Sequence, residues 1–252
     1  MRHLVLLFTL AACSGGDDTA PDDTAPDDTA ALDDTGSDSG SDTASDTDPG
    51  TDAFPAATMP CLWRHGVHTA HTSWTYRWLS SQRIGTRAMS VFEFDAATQT
   101  ATLKTTEGWT QTTGGVSFNG TTYDYVICND DGLYLKKHKV NSTLVITVGG
   151  NTTDVTDTET TYSTPALVRP NELALNDTWT SHRVGTTVSA GAPDQSFDDT
   201  KTFTVIEDVV ILPSADPAVN YGALKIDDGL YWQMGFGVIR DTTIYTLDKH
   251  TP

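Results

Sequence analysis

From Ala53 onward, apolar and polar residues alternate in short runs. Trp74-Thr75-Tyr76-Arg77-Trp78, Val91-Phe92-Glu93-Phe94, Ala101–Lys104, Tyr123–Val126, Leu133–Leu135, Leu144–Val148, Phe203–Val205, Leu230–Trp232 and Thr243–Leu247 read as strands. They are rich in Thr, Val and aromatic residues, which suit a pleated, half-buried surface. Asn119-Gly120, Asp131-Gly132, Gly149-Gly150-Asn151 and Asp228-Gly229 stand between them as turns. No stretch has the i, i+3, i+4, i+7 spacing of an amphipathic helix. The pattern predicts an all-β fold of antiparallel meander sheets, forming a barrel, half-barrel or sandwich.

Two short motifs recur in the same order. Ser81-Gln82-Arg83-Ile84-Gly85-Thr86 returns as Ser181-His182-Arg183-Val184-Gly185-Thr186, and Asp130-Asp131-Gly132-Leu133-Tyr134 as Asp227-Asp228-Gly229-Leu230-Tyr231. Trp78 and Trp179 precede the first motif in each copy. The recurrence predicts that the β domain, residues 54–252, consists of two related halves near 54–163 and 164–252.

Composition separates this domain from what precedes it. The chain has 252 residues and a formal net charge of −19. Between Asp17 and Asp52 stand 13 Asp and no Lys or Arg, so residues 54–252 carry only −7. Asp17–Ala20, Asp22–Ala25 and Asp27–Ala30 each read D-D-T-A, separated by Pro21 and Pro26. Leu32 is the one large apolar residue between Ser14 and Ala53. Such a segment has nothing to bury and repels itself, so 13–53 reads as a disordered linker. About forty residues reach ~130 Å fully stretched, and ~35 Å as a neutral coil. The acidic balance argues against nucleic acid, whose phosphates need a Lys/Arg surface. No apolar run reaches the roughly 18 residues of a membrane-spanning helix.

The first residues read as an export signal. Arg2 and His3 precede the apolar run Leu4–Ala12. Leu10-Ala11-Ala12-Cys13 closes that run and resembles the lipobox of bacterial lipoproteins. The resemblance implies a signal peptide over 1–12, with Cys13 lipidated as the mature N-terminus. Ser14 at the next position implies sorting to the outer membrane, on its periplasmic or cell-surface face. Several acyl chains anchor stably where one does so only marginally, so the linker becomes a stalk. Cys61 and Cys128 remain, an even pair in an exported chain. They predict a disulfide, the other reading being two buried thiols.

The second half carries further motifs. These are Pro170-Asn171-Glu172-Leu173 leading into Asn176-Asp177-Thr178-Trp179, then Glu207–Ile211, Gly222-Ala223-Leu224-Lys225-Ile226 and Tyr231–Ile239. Together they resemble a domain recurrent in secreted lipoproteins of myxobacteria and their relatives, itself similar to the half-barrels of periplasmic lipid-handling lipoproteins. The resemblance implies a β scaffold and brings no catalytic residues or cofactor.

Candidate chemistry is sparse. His65, His68 and His71 stand three apart, a spacing that would gather imidazoles for zinc on a helix. Gly66 and the neighbouring strand favour a polar loop instead. Trp74, Tyr76 and Trp78 share strand parity and form either core or a ligand platform. Gly235-Phe236-Gly237 lacks the third glycine and following helix of a dinucleotide loop, and suggests a bulge or corner. No nucleophile elbow, H-E-x-x-H or S-x-x-K motif is present. The expectation is a non-enzymatic lipoprotein without cofactor, displaying a β-rich binding or structural module in the cell envelope. Its partners would be the membrane through the lipid anchor, and an envelope protein, glycan or lipid. The alternative is a periplasmic carrier or sensor of a hydrophobic ligand in a barrel cavity.

Overall fold

The computed structural model describes residues 59–78, 82–211, 221–241 and 245–252, all within one compact unit, Asp52–Pro252. The signal segment 1–12, Cys13 and the linker 13–53 lie outside the described residues.

One helical turn, α1 (Cys61–Arg64), precedes the strands β1 (Ser73–Trp78), β2 (Arg83–Asp95), β3 (Thr100–Gln111), β4 (Val116–Cys128), β5 (Gly132–Ile146) and β6 (Thr152–Pro170). Then follow β7 (Thr178–Ser189), β8 (Gln195–Ile211), β9 (Tyr221–Ile226), β10 (Leu230–Gln233), β11 (Gly237–Asp241) and β12 (Tyr245–Thr251). Each pairs antiparallel with its sequence neighbours, and β1 pairs with β12, so the twelve strands close a barrel. Closure removes the sheet edges that an open meander would expose. The predicted all-β antiparallel class takes its barrel form.

The wall is uneven. β5, β6 and β8 run 15, 19 and 17 residues, whereas β9, β10 and β11 run 6, 4 and 5. β8 meets β9 only from Val205 onward. β6 and β7 are laddered only from Thr158 to Tyr162 against Gly185 to Ser189. Beyond that they splay, and side chains replace the ladder. Ser163 Oγ donates to the Val184 carbonyl at 3.1 Å, and Trp179 Nε1 donates to the Val168 carbonyl at 3.2 Å.

The main core lies at the end capped by α1. Trp74, Tyr76, Val91, Leu103, Val126, Leu133, Tyr245 and Leu247 are buried together there, with Leu62 and Val67. Trp179, Val205, Ile226 and Trp232 form a second cluster. Burying each such side chain contributes roughly 1.5–3 kcal/mol.

Three sequence readings change. Asn119-Gly120 is not a turn but mid-β4, where the Phe118 ring covers Gly120. The turn falls upstream at Gly114 and Gly115, both at positive φ. Leu133–Leu135 and Leu144–Ile146 are two ends of the single strand β5, whose middle carries Lys136, Lys137, His138 and Lys139. The boundary at 163/164 falls inside β6.

The recurring motifs also play different structural parts. Trp78 and Arg83 lie on successive strands, β1 and β2, whereas Trp179 and Arg183 share β7. In the first D-D-G-L-Y the Leu133 side chain is the buried one, in the second Tyr231. Gly229 adopts φ +92°, a conformation Gly132 does not share. What recurs is hairpin chemistry, with the strand face reversed.

Candidate functional site

The N-terminal segment Met59–Thr72 closes one end of the barrel. Leu62 and Val67 drive it inward, and backbone bonds fasten it. The Leu62 N–H donates to Gln99 Oε1 at 3.2 Å, and the Gly235 N–H donates to the Arg64 carbonyl at 2.8 Å. The Cys61 and Cys128 sulfurs stand at disulfide distance, with Cα atoms 5.6 Å apart, tying the plug to the end of β4. Gly235-Phe236-Gly237 is the β10–β11 turn, at positive φ at both glycines. A Cβ on Gly237 would lie 2.8 Å from the His65 carbonyl oxygen, so glycine is what lets the plug approach.

The three histidines go separate ways. His65 is buried, and its Nε2–H donates to Asn171 Oδ1 at 3.2 Å. Burial, with Arg169 adding to it, lowers its pKa to about 3, so it stays neutral. Asn171 is oriented from its other side. Its amide nitrogen donates to the carbonyls of Asn129 at 2.7 Å and Asp130 at 2.9 Å. His68 Nε2–H donates to the Gly235 carbonyl at 2.8 Å, and its ring stacks on Trp63. His71 is exposed. The reading of these three as a zinc set is therefore not met. His65 does approach Cys61 and Cys128, their ligand atoms lying within 4.8 Å of one another. Sulfurs joined to each other have no thiolate to give a metal.

The aromatic triplet divides. Trp74 and Tyr76 are 1% and 5% exposed. Their polar atoms donate to backbone carbonyls, Trp74 Nε1 to Phe236 at 2.7 Å and Tyr76 Oη to Val238 at 3.2 Å. They are core, which corrects the ligand-platform reading for both. Trp78 alone points on along the inner wall.

That wall turns polar where the core ends. The Arg83 guanidinium lies between two indoles, 5.5 Å from the Trp78 centroid and 4.2 Å from that of Trp109. Trp109 in turn stacks on Phe118. Arg87, directly opposite Tyr76 on β2, pairs with Glu107 and covers the Tyr245 ring. Farther round, His138 Nδ1 meets Asp124 Oδ1 at 2.6 Å. That hydrogen bond raises the His138 pKa. Thr160 stands opposite His138 on β6, and its hydroxyl bonds that of Thr187 at 2.9 Å. Tyr162 packs edge-on against Phe197 nearby, its pKa raised chiefly by burial.

The outer wall is wetter still. Lys104 covers Tyr123, and Lys137 pairs with Glu159 at 2.7 Å. Across β2–β6 a shallow depression of about 570 Å³ is lined by Thr86, Thr106, Asn119, Thr121, Asn141 and Asp157, among others. None of these side chains is bonded to another among the described residues.

Reading the sequence missed Arg83, Arg87, Glu107, Asp124, His138, Arg169 and Asn171 as inner residues. Strand parity from Tyr76 through the neighbouring registers would have placed Arg87 and Glu107 facing inward, but register is not readable before pairing is known. No protein-family model, curated protein or solved structure matches this chain.

Proposed function

We propose that this chain is a non-enzymatic envelope lipoprotein, anchored through Cys13, whose β-barrel is a binding module held off the membrane by the acidic linker. The observation that carries the reading is how the barrel is filled. Trp74, Tyr76, Val91, Leu103, Tyr245 and Leu247 occupy its closed part. Where that core ends the inner wall carries Arg83, Arg87, Glu107, Asp124 and His138, with Arg83 lying on the rings of Trp78 and Trp109. A carrier of a hydrophobic ligand needs an apolar chamber, whereas recognition here falls to polar surfaces such as the Thr- and Asn-rich depression on β2–β6. Those groups suit a glycan or the polar surface of an envelope protein. A transmembrane barrel carries an apolar outer band. Lys104, Lys137 and Glu159 stand on this outer wall instead, in keeping with a barrel standing in water.

The test is protease treatment of intact cells, with Cys13→Ser as the release control. The reading expects palmitate incorporation only with Cys13, membrane-bound protein in the parent, and soluble protein in the variant. Equal membrane retention of both would overturn the anchor. A lipid-sized mass co-purifying with the barrel in native mass spectrometry would overturn the choice of a binding module over a carrier.

A further inference from the structure

We propose that the barrel holds a compact oxyanion, such as a carboxylate group, against Arg169 and Trp232. Arg169 stands on the inner side of β6 opposite Leu133 and is 5% exposed. Its guanidinium carbon lies 5.3 Å from the Trp232 centroid, a cation–π contact. No hydrogen bond or ion pair reaches it among the described residues, and its Nε is buried without a partner. Trp232 is 1% exposed, and its Nε1 is likewise buried and unpartnered. A buried cation and a buried N–H donor thus lie side by side, and neither is bonded to an acceptor among the described residues.

The neighbours do not fill the need. Asp228 acts on Arg169 through space but makes no ion pair with it, and its Oδ1 accepts from the Leu230 N–H at 3.1 Å. Tyr76 Oη donates to the Val238 carbonyl and makes no hydrogen bond with Arg169. The His65 ring lies 5.9 Å from Trp232; with its Nε2–H committed to Asn171, its buried Nδ1 holds a lone pair that bonds neither Trp232 nor Arg169, and a neutral ring brings no charge to offset the guanidinium. His65 is held neutral, its pKa lowered by burial and by the Arg169 charge. Buried charges are ordinarily paired, and buried donors ordinarily bonded. What is missing here is negative and accepts hydrogen bonds. A guanidinium fork matches a carboxylate or phosphate edge, and the indole N–H adds a third donor. A depression of about 150 Å³, lined in part by Leu173, Leu224 and Met234 and also by the acidic Asp208, reaches Trp232. This inference is independent of the anchoring and display reading.

The test is thermal unfolding of the full chain in detergent micelles, titrated with sodium acetate or sodium phosphate against chloride at constant ionic strength. A ligand that binds only the folded state raises Tm along a saturable curve. The expected result is saturation by millimolar oxyanion, an at least tenfold weaker response in Trp232→Phe, and none in Arg169→Met. Trp232→Phe keeps a ring under the guanidinium, so it decides the matter if Arg169→Met fails to fold. Saturation by acetate alone assigns a carboxylate ligand, and by phosphate alone a phosphate. A linear rise identical in all three proteins is a general salt effect and overturns the site. So does an absence of any rise in the parent, which leaves only water beside Arg169.

Discussion

Asn171 Oδ1 receives the His65 Nε2–H at 3.2 Å while its amide nitrogen grips the Asn129 and Asp130 carbonyls, joining the plug to two inter-strand turns through one side chain. Asn171 is 7% exposed, so its loss leaves buried donors and acceptors unmade. Asn171→Leu, similar in volume but without the amide, is expected to cost about 2–4 kcal/mol. Urea unfolding checks this, and a change below about 0.5 kcal/mol would mean that water replaces the clasp.

Acid weakens the same contact. His65 has a folded pKa of about 3 against 6.5 unfolded, so between those values the unfolded chain binds the extra proton. Stability is then highest above pH 6.5 and falls as pH falls toward 3, by roughly 3 kcal/mol at pH 4 for this group alone. His250, lowered to about 4 by burial, acts in the same direction. His138 acts oppositely. Its pKa is raised by Asp124, so its contribution is full below 6.5 and fades as pH rises through the folded value. His65→Gln, which keeps an N–H for Asn171, is expected to lose about 3 kcal/mol less than the parent between pH 7 and pH 4. Parallel loss in both proteins would assign the acid sensitivity elsewhere.

How much of this was legible follows from where the core lies. β1, β3 and the start of β5 touch it, and their alternation was plain in Trp74–Trp78, Ala101–Lys104 and Leu133–Leu135. β6 adds no residue to the main core and packs Leu167 against the second cluster, and most of its Thr, Asp and Glu positions are wet on both faces, so the two-residue period vanishes and the longest strand went unread. The Cys61–Cys128 pairing was legible from compartment and count. Asn171 and Arg169 were not, because nothing local marks a polar residue as buried. Asn119-Gly120 misled because a glycine covered by an aromatic ring looks, in sequence, like a glycine in a turn.

Gly66 lies tight against the β10–β11 turn. It adopts φ +85°, and a Cβ there would lie 2.5 Å from the Phe236 carbonyl carbon. Gly66→Ala therefore meets both backbone strain and a backbone collision, and is expected to destabilise by about 3 kcal/mol or more. Gly149→Ala has a similar φ of +78° but open space around its Cβ, and isolates the strain alone, about 1 kcal/mol. Equal Tm losses in the two variants would mean that Phe236 moves aside.

Reduction should open the plug before it unfolds the wall. Cys61 and Cys128 close a loop with a sequence separation of 67, and in the chain-entropy model such a link contributes about 4 kcal/mol. The plug's other ties include Leu62 to Gln99, Arg64 to Gly235 and Glu172, His65 to Asn171, His68 to Gly235 and the Thr72 carbonyl to Val91, single contacts rather than a ladder. The β4–β5 ladder, by contrast, runs from Val116 to Cys128. Hydrogen exchange on the reduced protein is expected to speed at Leu62, Val67 and Gly235 while the amides of Thr122–Val126 keep their relative protection. Faster exchange spread evenly over both sets would instead make the disulfide a brace of the whole barrel rather than a latch on one end.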